Sequence, residues 1–225
     1  MANAKRFLIL RLEGALQAWG ENGKWDFRDS SSMPTKSGIV GLLGCAMGEE
    51  RGSEKLTALA QNITVAVRAD RPGVKFVDFQ TIKTDRLMTA NGTPRGKNAS
   101  TIVSPREYLQ DACFTVFLET ETHWREEIEE ALRNPKWCMY LGRKNCVPGR
   151  PILADVVEYA DWKEALVSYP AADRAVDHMP YECEIPESGM ATILRPDDLV
   201  GGDRQFALRR VWRGTVRKER NDVSD

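Results

Sequence analysis

Pro34-Thr-Lys-Ser-Gly-Ile-Val-Gly-Leu-Leu-Gly-Cys-Ala-Met-Gly48 is an apolar run of helical period interrupted by glycines, and its reading sets the architecture. A glycine inside a helix costs about 1 kcal/mol relative to alanine, so Gly41 and Gly44 need a compensating reason. Together with Gly48 they lie three and four residues apart, on one helical face. There the missing side chains would admit another backbone, either a sheet or a nucleic-acid strand. Thr35 or Ser37 is the expected N-cap. Lys36 adds a cation beside the free N–H groups of the first turn, a combination suited to a phosphate.

Upstream, Phe7-Leu-Ile-Leu-Arg-Leu12 alternates as a β-strand, with Arg11 on the side of Phe7 and Ile9. A loop containing Gly14, Trp19 and Gly20 then leads through Lys24, Trp25, Phe27 and Arg28 to the glycine helix at about 36–47. Downstream, a short helix near 54–61 precedes the strand Ile63-Thr-Val-Ala-Val-Arg68. From Asp70 to Ser104 the texture changes, as Arg86, Asn91, Gly92, Pro94, Arg95, Gly96, Lys97 and Asn98 accumulate. So long a loop is uncommon in a compact domain unless it is a protruding hairpin. Val74-Lys-Phe-Val-Asp-Phe79 and Ser100-Thr-Ile-Val103 are its expected arms, with a basic tip between them. Ala112-Cys-Phe-Thr-Val-Phe-Leu118 reads as a central strand, and Trp124, Ile128 and Leu132 mark one stripe of a helix that ends before Pro135.

The order strand, helix, strand, excursion, strand, helix predicts an α+β fold. Residues 1–133 are expected to form a ferredoxin-like domain carrying the insertion 70–104. A smaller β-rich region over 134–225 packs on it, punctuated by prolines and ending in the basic strand from Gln205 to Val216.

Composition excludes several classes. At 225 residues with 42% hydrophobic and 29% charged content, the chain suits one large or two small soluble domains. No apolar run approaches membrane-spanning length, and a cytoplasmic location is expected. The five cysteines, Cys45, Cys113, Cys138, Cys146 and Cys183, are odd in number and form no Cys-x-x-Cys pair, so reduced thiols and no metal are expected. Net charge is −1, but it is segregated. Residues 68–106 carry eight Lys/Arg against three Asp/Glu, 134–150 four against none, and 204–220 seven against one. Residues 155–198 carry eleven acids against three bases. Such segregation permits a cationic track on a near-neutral protein, provided the signs do not interleave in the fold.

Five ordered segments carry a family resemblance: Leu8 to Gly20, Pro34 to Gly44, Arg106 to Val116, Tyr140-Leu-Gly-Arg-Lys-Asn-Cys146 and Arg204-Gln-Phe-Ala-Leu-Arg209. Together they resemble the CasD family of CRISPR subunits, members of the RAMP superfamily found in type I-E Cascade. The resemblance implies a non-catalytic subunit that caps a guide complex and holds the 5′ handle of the CRISPR RNA; separately, the sequence has no phosphate loop, His-Glu-x-x-His or nucleophile elbow, and no cofactor is expected. The insertion 70–104 would be its thumb, reaching a CasC-type backbone subunit. A CasA-type large subunit and, indirectly, target DNA would be further partners, with no membrane involved.

The expected RNA contacts are Lys36 and Ser37 at the helix start, Arg86 and Lys97 on the thumb, Arg106 and Tyr108 at its base, and Arg143 and Lys144 after Tyr140-Leu-Gly142. Arginine suits phosphate through its planar fork, and tyrosine offers a stacking face. Trp19 and Trp25 are expected as core or loop anchors. The rival reading is a metal-independent endoribonuclease, as in the type I-C branch, which needs a base, a cation and an acid around one phosphate. The chain has only His123 and His178, both in acidic contexts, and the branch's Tyr/Lys/His arrangement is unmatched. A third reading is a protein-interaction module whose acidic stretches dock basic subunits.

Overall fold

The computed structural model describes residues 4–21, 27–83, 92–93, 101–186, 188–202 and 205–218. Within them the chain runs β1 (Lys5–Glu13), β2 (Leu16–Gln17), α1 (Lys36–Met47), α2 (Glu54–Asn62), β3 (Thr64–Arg71), β4 (Val74–Lys83) and β5 (Thr101–Gln110). It continues with β6 (Cys113–Glu119), α3 (Thr122–Arg133), β7 (Leu153–Tyr159), α4 (Trp162–Ser168), β8 (His178–Cys183), β9 (Ala191–Gly201) and β10 (Gln205–Arg217). Among the described residues the strands form a seven-stranded sheet, β7-β1-β6-β3-β8-β10-β9, and a three-stranded one, β2-β5-β4. The fold is mixed α and β on mostly antiparallel sheet.

Chain order explains sheet order. β1 and β3 both run antiparallel to β6, so they are parallel to each other across the gap that the α1–α2 crossover leaves. β7 joins the outer side of β1, and β8 the outer side of β3. The large sheet therefore draws strands from both the 1–133 and 134–225 stretches.

Period-two alternation divides the strands between two cores. Leu8, Leu10, Leu12, Val65, Val67, Phe114 and Val116 face α1, α2 and α3, packing with Leu43, Leu59 and Ile128. Phe7, Ile9, Ala66 and Phe117 face the other way, against Trp162, Leu166 and Tyr169 from α4 and the residue that follows it. Both sides are covered at the centre, so these strands read as near-continuous apolar runs.

The expected helix from 36 to 47 is present, with Thr35 as N-cap accepting from the Gly38 N–H and Gly48 as a left-handed C-cap at φ 73°. Its glycine face differs from expectation. Gly44 lies against the Leu56 side chain of α2, Gly38 against the Trp19 ring, and Gly48 against Lys136. At Gly41 a Cβ would meet nothing within 4 Å. The close approaches are to side chains, Leu56 of α2, Trp19 in the loop after β2 and Lys136 in the loop after α3.

β4 and β5 pair without interruption from Val74↔Gln110 to Lys83↔Thr101. A hairpin was expected, but in another register. Val74 to Phe79 stand opposite Pro105 to Gln110, and Val103 pairs with Thr81. Asp70 and Arg71, expected at the start of the excursion, belong to β3 and are buried. Asp70 is held there by Arg68 and Arg11, and Arg71 by Glu13, which lets charged residues stay in a strand.

Candidate nucleic-acid interface

The foot of the β4–β5 hairpin gathers three of the residues expected at RNA. Tyr108 on β5 is 1% exposed. Phe76 stacks on its ring at 5.5 Å between centroids, and the Arg143 guanidinium carbon lies 4.7 Å from the ring centroid. Its hydroxyl accepts from Asn145 Nδ2 at 3.0 Å. Arg143 donates to the carbonyls of Glu107 at 2.7 Å, Arg28 at 2.9 Å and Asp29 at 3.1 Å. The loop that aims it turns at Gly142, φ 87°, where any Cβ would run into the Ala18 carbonyl. Arg106 is cross-strand to Asp78, bridges the backbone of Arg28 and donates to Ser104 Oγ at 3.4 Å, its guanidinium partly open. Tyr108 and Arg143 are thus fastened into the hairpin foot, a positioning role in place of the expected stacking face and phosphate fork.

A second cluster surrounds the start of α1. Lys36 is 7% exposed, and its ammonium lies 3.1 Å from Glu184 and 3.3 Å from Asp198. Its backbone N–H donates to Asp197 Oδ2 at 2.8 Å. The chain's own carboxylates therefore occupy the position where a phosphate was expected, and an incoming anion would compete with them. Ser37 is half-buried, its hydroxyl 3.5 Å from Thr35 Oγ1. Arg209 clamps Asp197 through Nε at 2.9 Å and Nη2 at 2.8 Å and reaches Glu184 at 3.1 Å. Burial works against its charge, but the hydrogen bonds and charge of Asp197 outweigh it and hold the guanidinium above its ordinary pKa. Beside it, Glu182 accepts from Arg195 and Arg213, and Arg195 also reaches Glu21 and Ser31.

Lys144 is exposed with no ion pair among the described residues. Arg86 and Lys97, like Trp25, lie outside the described residues. Trp19 is a core residue whose indole donates to Gln17. His123 lies beside Glu121 and Trp124, and His178 is on β8 opposite Arg217. No group of three or more His, Cys, Asp or Glu suited to a metal occurs among the described residues, and no helix there is long and apolar enough to cross a membrane.

The ion networks were missed in the sequence, although a signal was present. Glu182 on β8 and Glu184 just beyond it, Arg195 and Asp197 on β9, and Arg209 and Arg213 on β10 recur at even spacings. On paired strands such spacing directs opposite charges to one face. The hairpin also carries what charge counting ignored: Phe79 is 70% exposed, with Val77 and Val103 exposed on the same ribbon face.

Comparison with known proteins gives one answer. The family described as CRISPR-associated protein (Cas_Cas5) matches residues 7–223. The chain is 35% identical over 178 residues to the CRISPR system Cascade subunit CasD of Escherichia coli (strain K12), covering 73% of this chain and 77% of that protein. It is similar to a chain solved in a CRISPR RNA-guided surveillance complex, with a TM-score of 0.74, 30% identity, and 95% and 90% of the two chains covered. A structure titled crystal structure of Cas protein matches with a TM-score of 0.73 and 34% identity, covering 94% and 95%. With a match across nearly its whole length and a curated relative above 30% identity, the chain belongs to the Cas5/CasD family of CRISPR-associated proteins.

Proposed function

We propose that the chain is a non-catalytic subunit of an RNA-guided CRISPR surveillance complex, binding the 5′ handle of the CRISPR RNA and touching a CasC-type backbone subunit through the β4–β5 hairpin. The similarity over 95% of the chain to a subunit of such a complex is the observation that carries this reading. The strand order β7-β1-β6-β3, with α1 and α3 as crossovers, supports a ferredoxin-like unit, β8 to β10 being its C-terminal extension. The hairpin is its thumb, and the apolar face bearing Val77, Phe79 and Val103 is suited to a protein neighbour.

Of the expected RNA contacts, Ser37, Arg106 and Lys144, with Arg86 and Lys97, are proposed to meet RNA, while Lys36, Tyr108 and Arg143 hold the surfaces that present them. Single-stranded RNA of fixed shape is bound through phosphates, stacking and splayed bases, which asks for cations on an ordered scaffold and for no proton transfer. A CasA-type large subunit and target DNA are reached through the assembly, in the cytoplasm.

The test is incubation of the purified chain with repeat-derived RNA in chelator, read by filter binding and by a denaturing gel. Saturable retention of intact RNA is expected. Discrete product ends that disappear in His123→Ala or His178→Ala would replace the binder with an endoribonuclease.

A further inference from the structure

We propose that the cavity beneath the β8–β10 ladder receives one unstacked nucleobase of single-stranded RNA and prefers guanine. This rests on the RNA-binding reading above and names a base site that the reading does not contain. The cavity, about 390 Å³, opens where the loop before α1 passes the ends of β3, β8 and β10. Small-ligand pockets span about 300–1,000 Å³, so it has room for one nucleoside. Met33, Ala69, Pro72 and Pro180 give it apolar walls, which suit the face of a base and offer nothing to a phosphate.

Its polar side is built around Arg213. Cross-strand register sets Arg213 opposite Glu182 and Thr215 opposite Pro180, on the sheet face that carries Val67. Glu182 is 5% exposed; its Oε1 accepts from Arg195 Nη2 at 2.6 Å and Arg213 Nε at 2.8 Å, and its Oε2 from Arg195 Nε at 3.0 Å. Arg213 Nη2 is also 2.7 Å from Glu182 Oε1, so the guanidinium is gripped along one side. Its end-on pair, Nη1 with the outer hydrogen of Nη2, has no partner among the described residues, and the side chain is 45% exposed. Fixed by a buried carboxylate that is itself fixed by Arg195, this fork is oriented before any ligand arrives. The fork is the cavity's one charged donor pair, and the hydroxyls of Ser32, Tyr181 and Thr215, which can donate or accept, complete its polar lining. Guanine, with O6 and N7 side by side on one edge, matches an arginine fork that adenine and the pyrimidines do not.

The experiment uses the full chain, fluorescent single-stranded RNA carrying guanosine, inosine, 7-deazaguanosine or adenosine at one position, and an abasic strand as the phosphate control. Guanosine strands are expected to bind about tenfold more tightly than adenosine strands, 7-deazaguanosine losing most of the gain through its missing N7. Arg213→Lys, which keeps the charge without the fork, and Thr215→Trp, which fills the cavity without touching the ion network, are each expected to abolish the preference. Circular dichroism checks their fold. If wild-type chain binds RNA and these variants leave the base preference unchanged, the base site is overturned and the RNA reading stands. Equal loss on every strand, the abasic one included, makes Arg213 a phosphate contact and also overturns it. No binding of any strand by wild-type chain overturns the RNA reading itself and the pocket with it.

Discussion

Arg143 shows how a cation that reads as a ligand contact in sequence becomes a fastener in the fold. It lies in a stretch, 134–150, without a single acid, which made a salt bridge the less natural reading. Backbone carbonyls answer it instead, three of them, with the Tyr108 ring below. Hydrogen bonds from charged donors contribute about 1.5–3 kcal/mol each, non-additively, and removal takes this donor from three partly exposed carbonyls, of which that of Arg28 keeps the Glu107 N–H. Arg143→Ala is therefore expected to destabilise by about 2–4 kcal/mol in urea unfolding, with Arg143→Lys recovering only part, because an ammonium cannot span the three acceptors. An unaltered midpoint in Arg143→Ala would return the residue to the set of free RNA contacts. Cys113 supplies a second expectation at this scale. Burial first, then the charge of Glu13, pushes its thiol from an ordinary 9.0 up to about 11. The fold favours the protonated form, so this contribution is complete below about pH 9 and declines as pH rises toward about 11. Cys113→Ala should flatten the alkaline limb of a stability profile between those limits, and an unchanged limb would contradict the shift.

At the scale of elements, α1 separates what its glycines share in sequence. Gly41 faces open space, so its only effects are flexibility and lost helix propensity. Gly41→Ala is expected to stabilise the isolated chain by about 0.5–1 kcal/mol, since no other part of the fold approaches this residue. Gly44→Leu should instead cost about 1–3 kcal/mol, since the new side chain drives Leu56 out of its place. Urea midpoints of the two variants moving in the same direction would refute the distinction. The elements themselves were legible. β1, α1, α2, β6 and α3 fall where periodicity put them, because each is buried along a stripe or a face that hydrophobic spacing records. Three things were not legible, each for a physical reason. The hairpin register was missed because β4 is largely exposed on both of its faces, leaving no apolar alternation on that strand to fix it. The end of β3 was missed because buried ion pairs let Asp70 and Arg71 continue a strand. The cluster at the start of α1 was missed because Lys36 meets its partners 148 and 162 residues away in sequence, at Glu184 and Asp198, a separation no local pattern carries.

For the whole molecule the question is which positive charges are free to release counterions from RNA. The three basic segments look alike in sequence, yet within the fold many of their cations are already neutralised. Arg68 and Arg71 pair with Asp70 and Glu13, Arg150 with Glu13 and Asp173, and Arg209 and Arg213 with Asp197 and Glu182. Such pairs hold strands together and contribute little to a polyanion's binding, whereas Arg106 and Lys144 have no carboxylate partner among the described residues. Single-strand binding loses about 0.7 in the slope of log K against log salt for each phosphate contact removed. The double variant Arg106→Ala with Lys144→Ala should therefore lower the slope by about 1.4 while leaving thermal unfolding nearly unchanged. Arg209→Ala should do the opposite. It leaves buried Asp197 without its guanidinium partner and with the Lys36 N–H of α1 as its remaining donor, a loss of about 3–5 kcal/mol of the kind seen when one partner of a buried pair is removed, and the slope of whatever protein remains folded should hold. Measured side by side on one RNA, the two variants separate a cationic track from a charge lattice. If both shift the slope equally, pairing within the fold does not remove a cation from the RNA path, and the free and committed classes drawn here collapse into one.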